Sequence, residues 1–494
     1  MSSSPASQPP DLPIPLRMHA PTGKATQALP LASLDPRGTE IPGAAERIAG
    51  IKQLGTAYTV DDPNELSQAG WGILFASDAD PAIQAQLQPL IDLRRTQVID
   101  RNLFKVFTGP DQGGVTPGMT AADWARDRGV SLTAAVDPYQ GVPFYLLIVG
   151  SPERIPFEFQ ALLKMQFAVG RLAFDDIADY GRYAQAVVQY ESSSYQPVQS
   201  RSAAVWVTRN NGDIATAMLS GAVSMDFLSP SNSLGCRSGF LLNAFANEKA
   251  TKLQLVEILR GNVPGGAPAV IFTGSHGCDY SGSDPAIQRR YQGALTTQEW
   301  IPDTPSSSAN QFSADDVPAD AQLQGAITFL FACYSGGCPT VDSYYTNPDG
   351  SPMALAPAPM ISNLSQALLR RGALAVIGHV DLAFPYAFQD VNGTPQMQAL
   401  RTPIELLLRG KKAGLAIDSL SILWSSLATQ LGDALRSNPG TPGAPAGSAG
   451  AAPAASLSTS ASPAIPRLTI ARDDARNYIL LGDPAVHLRV NDLH

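Results

Sequence analysis

Six short apolar runs punctuate the chain: residues 71–76 (WGILFA), 144–150 (FYLLIVG), 203–208 (AAVWVT), 269–274 (AVIFTG), 327–332 (ITFLFA) and 374–380 (LAVIGHV). Each has the length and the branched or aromatic content of a strand buried on both faces. Helix-like stretches lie between them, at 82–96, 177–190, 251–260 and 362–371, the last followed by Gly372. Strands alternating with helices predict an α/β fold with a mostly parallel sheet covered on both faces. In such sheets, sites lie beyond the carboxyl ends of the strands.

Outside this pattern, residues 1–45 are rich in Pro, Ser and Ala and read as a disordered tail. Residues 437–466 (SNPGTPGAPAGSAGAAPAASLSTSASPAIP) read as a flexible insertion. A segment of ordered composition follows it, DDARNYILLGDPAVHLRV. There Asp473 and Asp474 read as the opening of a turn. A chain of 494 residues suggests roughly three domains. The division expected here is the tail, an α/β subdomain over 46–195, and a second over 196–494 that carries the insertion.

Several function classes fall away on composition. No apolar run reaches the length of a membrane span, and the N-terminus lacks the pattern of a secretory signal. A net charge of −9 argues against a general nucleic-acid binder. Four cysteines in so long a chain do not make a disulfide framework. A soluble, cytoplasmic protein in a reducing compartment is expected.

Two strand ends carry chemistry. The run AVIFTGSHG (269–277) presents His276 before Gly277, and ITFLFACYSGG (327–337) presents Cys333 shortly before glycines. If both strands run parallel, His276 and Cys333 share one sheet edge. A cysteine nucleophile needs a nearby imidazole to form its thiolate. The glycines permit tight turns with exposed N–H groups, which an oxyanion site requires. Of five histidines, His19 lies in the tail, His487 in the C-terminal segment and His494 at the end, leaving His276 and His379 at strand ends. Two plainer readings stand beside this one. A cysteine after a buried strand is most often a small buried hydrophobe. His276, Cys278, Cys333 and Cys338 are also four soft metal ligands, although their spacings fit zinc knuckles poorly.

At these residues the chain resembles the caspase-like cysteine peptidases of clan CD, which include caspases, legumains, separases, gingipains and bacterial CHAT-domain peptidases. The caspase signature is matched only at Ala332-Cys333. The sequence is most similar to gingipain-type peptidases, in five segments taken in order. YLLIVG (145–150) with Ile155-Pro156 resembles their "LLVGD…IP", with Ser151 in place of the Asp. VGRL (169–172), before a helix ending QYE (189–191), resembles "GR…YE". FTGSHG (272–277) resembles "YTGHG", with one residue inserted before the histidine. Ala332-Cys333 resembles the "AC" of the nucleophile, and LLGDP (480–484) the "GDP" near the domain end. A polar insertion at 304–320 departs from the family and is placed near the site.

The resemblance implies a caspase-like three-layer sandwich with two side-by-side subdomains, and a Cys–His dyad in an endopeptidase of narrow specificity. Cys333 would attack the scissile carbonyl, His276 would protonate the leaving amine, and the N–H groups of Gly277 and Cys333 would hold the oxyanion. Substrate contacts would come from Thr273, Phe331, His379, Asp381, Phe384 and Asp213. Of these, Asp381 and Asp213 are the acids suited to a basic residue before the cut, and His379 reads as a hydrogen-bonded pocket residue. No cofactor or metal is expected. The partners expected are a protein or peptide substrate, neither nucleic acid nor membrane, and a regulatory partner of unknown kind. CHAT-type relatives suggest bacterial signalling or defence. The alternative is an inactive caspase-like scaffold that binds a peptide.

Overall fold

The computed structural model describes residues 14–26, 56–57, 59–437 and 464–494. All six apolar runs are strands: Trp71–Phe75, Tyr145–Val149, Gln199–Val207, Ala267–Gly274, Ile327–Phe331 and Ala375–His379. Apart from Arg201, every residue in them is buried, which is why each reads as an unbroken apolar run rather than an alternating one. Four further strands complete a ten-stranded sheet: Phe104–Phe107, Ala168–Leu172, Leu241–Ala246 and Tyr478–Gly482. Phe104–Phe107 and Leu241–Ala246 are the two edge strands. Both are partly exposed, so neither needs a long apolar run.

Helices fill the connections. Pro81–Val98 and Ile177–Glu191 are capped by Asp80 and Asp176, whose carboxylates accept the N–H groups of Ala82 and Ala178. Thr251 caps Lys252–Leu259 in the same way. The result is the mixed α/β sandwich expected, with one mostly parallel sheet.

The two halves of the sheet run in opposite directions. Every neighbouring pair is parallel except Tyr478–Gly482 with Ala375–His379. The last strand of the chain therefore sits between the halves, parallel to Ala168–Leu172 and antiparallel to Ala375–His379. A buried ionic cluster fixes it there. Asp483 accepts from Trp71 Nε1 at 2.9 Å and from Arg94 Nε at 2.7 Å. Arg94 also forks onto Glu191, at 2.6 and 2.8 Å. Burial alone would raise the Glu191 pKa, but the guanidinium outweighs it and lowers it to about 2.

Two expectations need correction. Residues 14–26 are not tail. They form strands Arg17–His19 and Lys24–Ala25, and Arg17–His19 pairs in parallel with Gly277–Asp279. The cause is an alternation: Leu16, Met18 and Ala20 are buried, with Ile14 packed against the core. The rest of the expected tail (1–13 and 27–45) lies outside the described residues. The expected insertion is described only at its ends, where helices Asp418–Ser437 and Ala464–Arg476 pack together. Asp473 and Asp474 lie inside the second helix rather than in a turn.

Candidate active site

His276 and Cys333 each lie two residues past the end of their strand, and the two strands are adjacent and parallel. The register pairs Leu330 with Thr273 and Phe331 with Gly274, and Ser275 N–H continues the ladder to Phe331 O at 3.2 Å. Carried two residues past the strand ends, the same register sets Cys333 against His276. Neighbouring strands lie about 4.8 Å apart, and here the backbones come closer still. A Cβ on Gly277 would stand 1.8 Å from the Cys333 carbonyl oxygen, so only glycine fits beside the cysteine.

His276 is fully buried and packs edge-on to Trp300, with ring centroids 5.5 Å apart. Its Nε2 lies 3.0 Å from Asp213 Oδ2, while Nδ1 has no hydrogen-bond partner. Asp213 is the N-cap of helix Ile214–Met225. The same oxygen accepts the Thr216 N–H at 2.8 Å and the Thr216 hydroxyl at 2.6 Å. Burial would raise the Asp213 pKa, but His276 and these donors lower it to about 2. A carboxylate so engaged orients the ring, where the sequence reading had it meeting a substrate base.

Cys333 is buried too. Its Sγ accepts the Ala383 N–H at 3.1 Å, yet burial keeps the thiol pKa well above its ordinary value. The loop after it is strained: Tyr334 has φ +58, a left-handed conformation costly for a large side chain. Hydrogen bonds from Tyr334 N–H to Asp381 O (3.0 Å) and from Gly336 N–H to His379 O (2.8 Å) hold it in place. Ser335 Oγ adds bonds to the carbonyls of Leu330 and Ala332.

The Gly277 N–H, expected to face an oxyanion, donates to the Leu16 carbonyl at 2.9 Å. A peptide carbonyl thus already occupies that position.

His379 differs from His276 in one decisive respect, since both its ring nitrogens are engaged. Nδ1 lies 2.9 Å from Asp381 O, and Nε2 lies 3.0 Å from Asp474 O and 3.3 Å from Asp474 Oδ1. Burial opposes its protonation, but Asp474 outweighs that and raises its pKa. Asp381 lines a narrow cleft with Ser343, Asp473 and Arg476. Its carboxyl accepts the Ser343 hydroxyl at 2.6 Å and the Leu382 N–H at 2.8 Å. Burial, with Asp342 nearby, pushes it up to about 7.

The remaining expected contacts are packing groups. Phe331 stacks on Tyr478 and meets Phe388 edge-on. Phe384 packs edge-on to Tyr344, and its N–H is held by Asp474 Oδ1 at 2.8 Å. Thr273 is buried with its hydroxyl unpartnered. From the loop at 304–320, Ser306 N–H donates to Ala20 O at 2.7 Å, and Thr304 O accepts from Nε1 of Trp300, the residue packed on His276, at 3.1 Å. Among the described residues, no three or more of His, Cys, Asp and Glu gather as a metal-binding group.

The sequence placed Asp474 in a turn and Leu16 and Arg17 in the tail, with Arg17 a basic candidate for self-cleavage there, and assigned none of the three to the site. Asp474 gave no signal, because its partner His379 is 95 residues away. Leu16 and Arg17 sat in a period-two pattern masked by the prolines around it.

No family model and no curated protein matches the sequence. Among solved structures, the chain is similar to one described as a protease, at 12% identity, with 85% of this chain and 78% of that one covered and a TM-score of 0.47. It is also similar to Saccharomyces cerevisiae separase in its complex with securin, at 13% identity over 69% of this chain, with a TM-score of 0.28. There it spans 16% of the separase chain. No helix of the described residues is long and apolar enough to cross a membrane.

Proposed function

We propose that this chain is a cysteine endopeptidase in which Cys333 is the nucleophile, His276 the proton carrier and Asp213 the residue that positions His276. The observation that carries this reading is the pairing of His276 with Asp213 at the end of the strand adjacent to that of Cys333. One ring nitrogen is tied down and the other is left unengaged.

The chemistry follows from the placement. Cys333 Sγ attacks the carbonyl carbon of the scissile bond, and the oxygen takes up the charge beside the N–H groups of Gly277 and Cys333. His276 carries the thiol proton to the departing amine through Nδ1, so the C–N bond breaks as the amine leaves neutral. Water then enters, loses a proton to His276 and releases the acid from the thioester. Asp213, charged throughout, stabilises the imidazolium between these steps.

A peptide carrying an electrophile in place of the scissile bond tests the reading. Mass spectrometry should place the adduct on Cys333. It should vanish in Cys333→Ala and slow sharply in His276→Ala. An adduct confined to the exposed Cys236, or one indifferent to His276, defeats the proposal.

A further inference from the structure

Leu16 is held by both of its peptide groups. Its N–H donates to Ala383 O at 2.9 Å, and its carbonyl accepts the Gly277 N–H at 2.9 Å. Ala383 gives its own N–H to Cys333 Sγ. Leu16 is therefore held between the proposed oxyanion donor, Gly277 N–H, and the segment whose Ala383 N–H reaches the Cys333 thiol.

Arg17 then enters an acidic receptor. Nη1 lies 2.7 Å from Asp342 Oδ2, 3.3 Å from the Tyr334 hydroxyl and 3.7 Å from Asp279. The guanidinium stands 4.9 Å from the Tyr345 ring centre, and Nε donates to Thr26. Two carboxylates, a hydroxyl and an aromatic face are what a guanidinium fork calls for. Tyr334 follows the nucleophile directly, and Asp279 lies two residues past Gly277.

We infer that Asp342, Asp279, Tyr334 and Tyr345 form a subsite for a guanidinium one position beyond the residue whose carbonyl Gly277 holds, and that the chain's own Leu16–Arg17 fills it as an internal occupant. The inference rests on the proposed cleft at Cys333. It moves the basic preference from before the cut to after it, with an aliphatic residue before the cut. With the strand in place, Leu16, Cys333 and His276 are at most 1% exposed, so a substrate must displace residues 14–20 to reach the thiol.

The probe is a fluorescent peptide of sequence IPLRMHA, which copies residues 14–20. On full chain bearing Cys333→Ala, adding Arg17→Gln should raise its affinity at least about tenfold, because the internal occupant loses its buried charge pair. The same peptide with Glu for Arg should bind the Arg17→Gln chain at least about tenfold more weakly, and Asp342→Asn should erase that difference. Equal binding with and without Arg17→Gln, or no discrimination between Arg and Glu, overturns the inference. Should Arg17→Gln fail to fold, hydrogen exchange on the native chain decides. Saturating peptide should speed exchange at Leu16, and unchanged protection refutes the internal occupant. Binding is read without turnover. A chain that binds the peptide but cleaves nothing loses the peptidase reading alone, and one that cleaves other peptides but ignores this one loses the subsite.

Discussion

His276 Nε2 lies 3.0 Å from Asp213 Oδ2, so the ring's orientation is set by the N-cap of the helix after the neighbouring strand. Asp213→Asn keeps the cap but loses the charge that stabilises an imidazolium. We expect kcat to fall by about 10²-fold or more with KM little changed, and the pH–rate profile to change shape. A KM effect alone would mark Asp213 as a binding residue instead.

Gly277 and Gly221 should respond oppositely to alanine. At Gly277 the new Cβ meets the Cys333 carbonyl at 1.8 Å, whereas at Gly221, inside helix Ile214–Met225, nothing lies within 4 Å. Gly277→Ala should abolish turnover and cost at least about 1–3 kcal/mol of stability. Gly221→Ala should stabilise by about 0.5–1 kcal/mol, through helix propensity. Denaturant melts of the two variants check this.

Asp381 should make the protein less stable as pH rises. Its folded pKa, about 7, lies above the ordinary 3.8 because it is buried beside Asp342. Its contribution is therefore fully present below about pH 4 and declines up to about pH 7. Asp381→Asn should flatten that part of the stability profile and gain up to ~4 kcal/mol at pH 8 relative to pH 4. An unchanged slope would assign the pH dependence elsewhere.

Arg94 holds the last strand between the two halves of the sheet. Arg94→Ala leaves Asp483 and Glu191 buried without their cation, and we expect a loss of about 3–5 kcal/mol. Glu191 contributes in the opposite pH sense to Asp381. Its lowered pKa, about 2 against an ordinary 4.5, gives stability that is present above pH 4.5 and lost as pH falls toward 2. Thermal melts from pH 2 to 6 should show this acid-side slope in the native chain and a shallower one in Arg94→Ala, where the Asp213 contribution persists.

Strands buried on both faces were readable because burial makes nearly every residue apolar, as in Ile327–Phe331, where Thr328 is the one polar residue. Edge strands such as Leu241–Ala246 were not, since one side faces solvent. His276 and Cys333 stood out because polar groups ending apolar runs are conspicuous. The partners of those residues were hidden, because contacts such as Asp213 to His276 join segments 63 residues apart. His379 shows the converse. It ends a buried apolar run in the sequence much as His276 follows one, yet both its nitrogens are occupied, and only geometry tells the two apart. Arg17 looked like a tail residue until Asp342 appeared beside it.

Hydrolysis of internally quenched peptides by the full chain carrying Arg17→Gln probes the dyad most directly. We expect turnover that is lost in Cys333→Ala and in His276→Ala, while His379→Ala chiefly shifts KM. Turnover that survives Cys333→Ala, or that needs His379 and not His276, would show that the chemistry lies elsewhere.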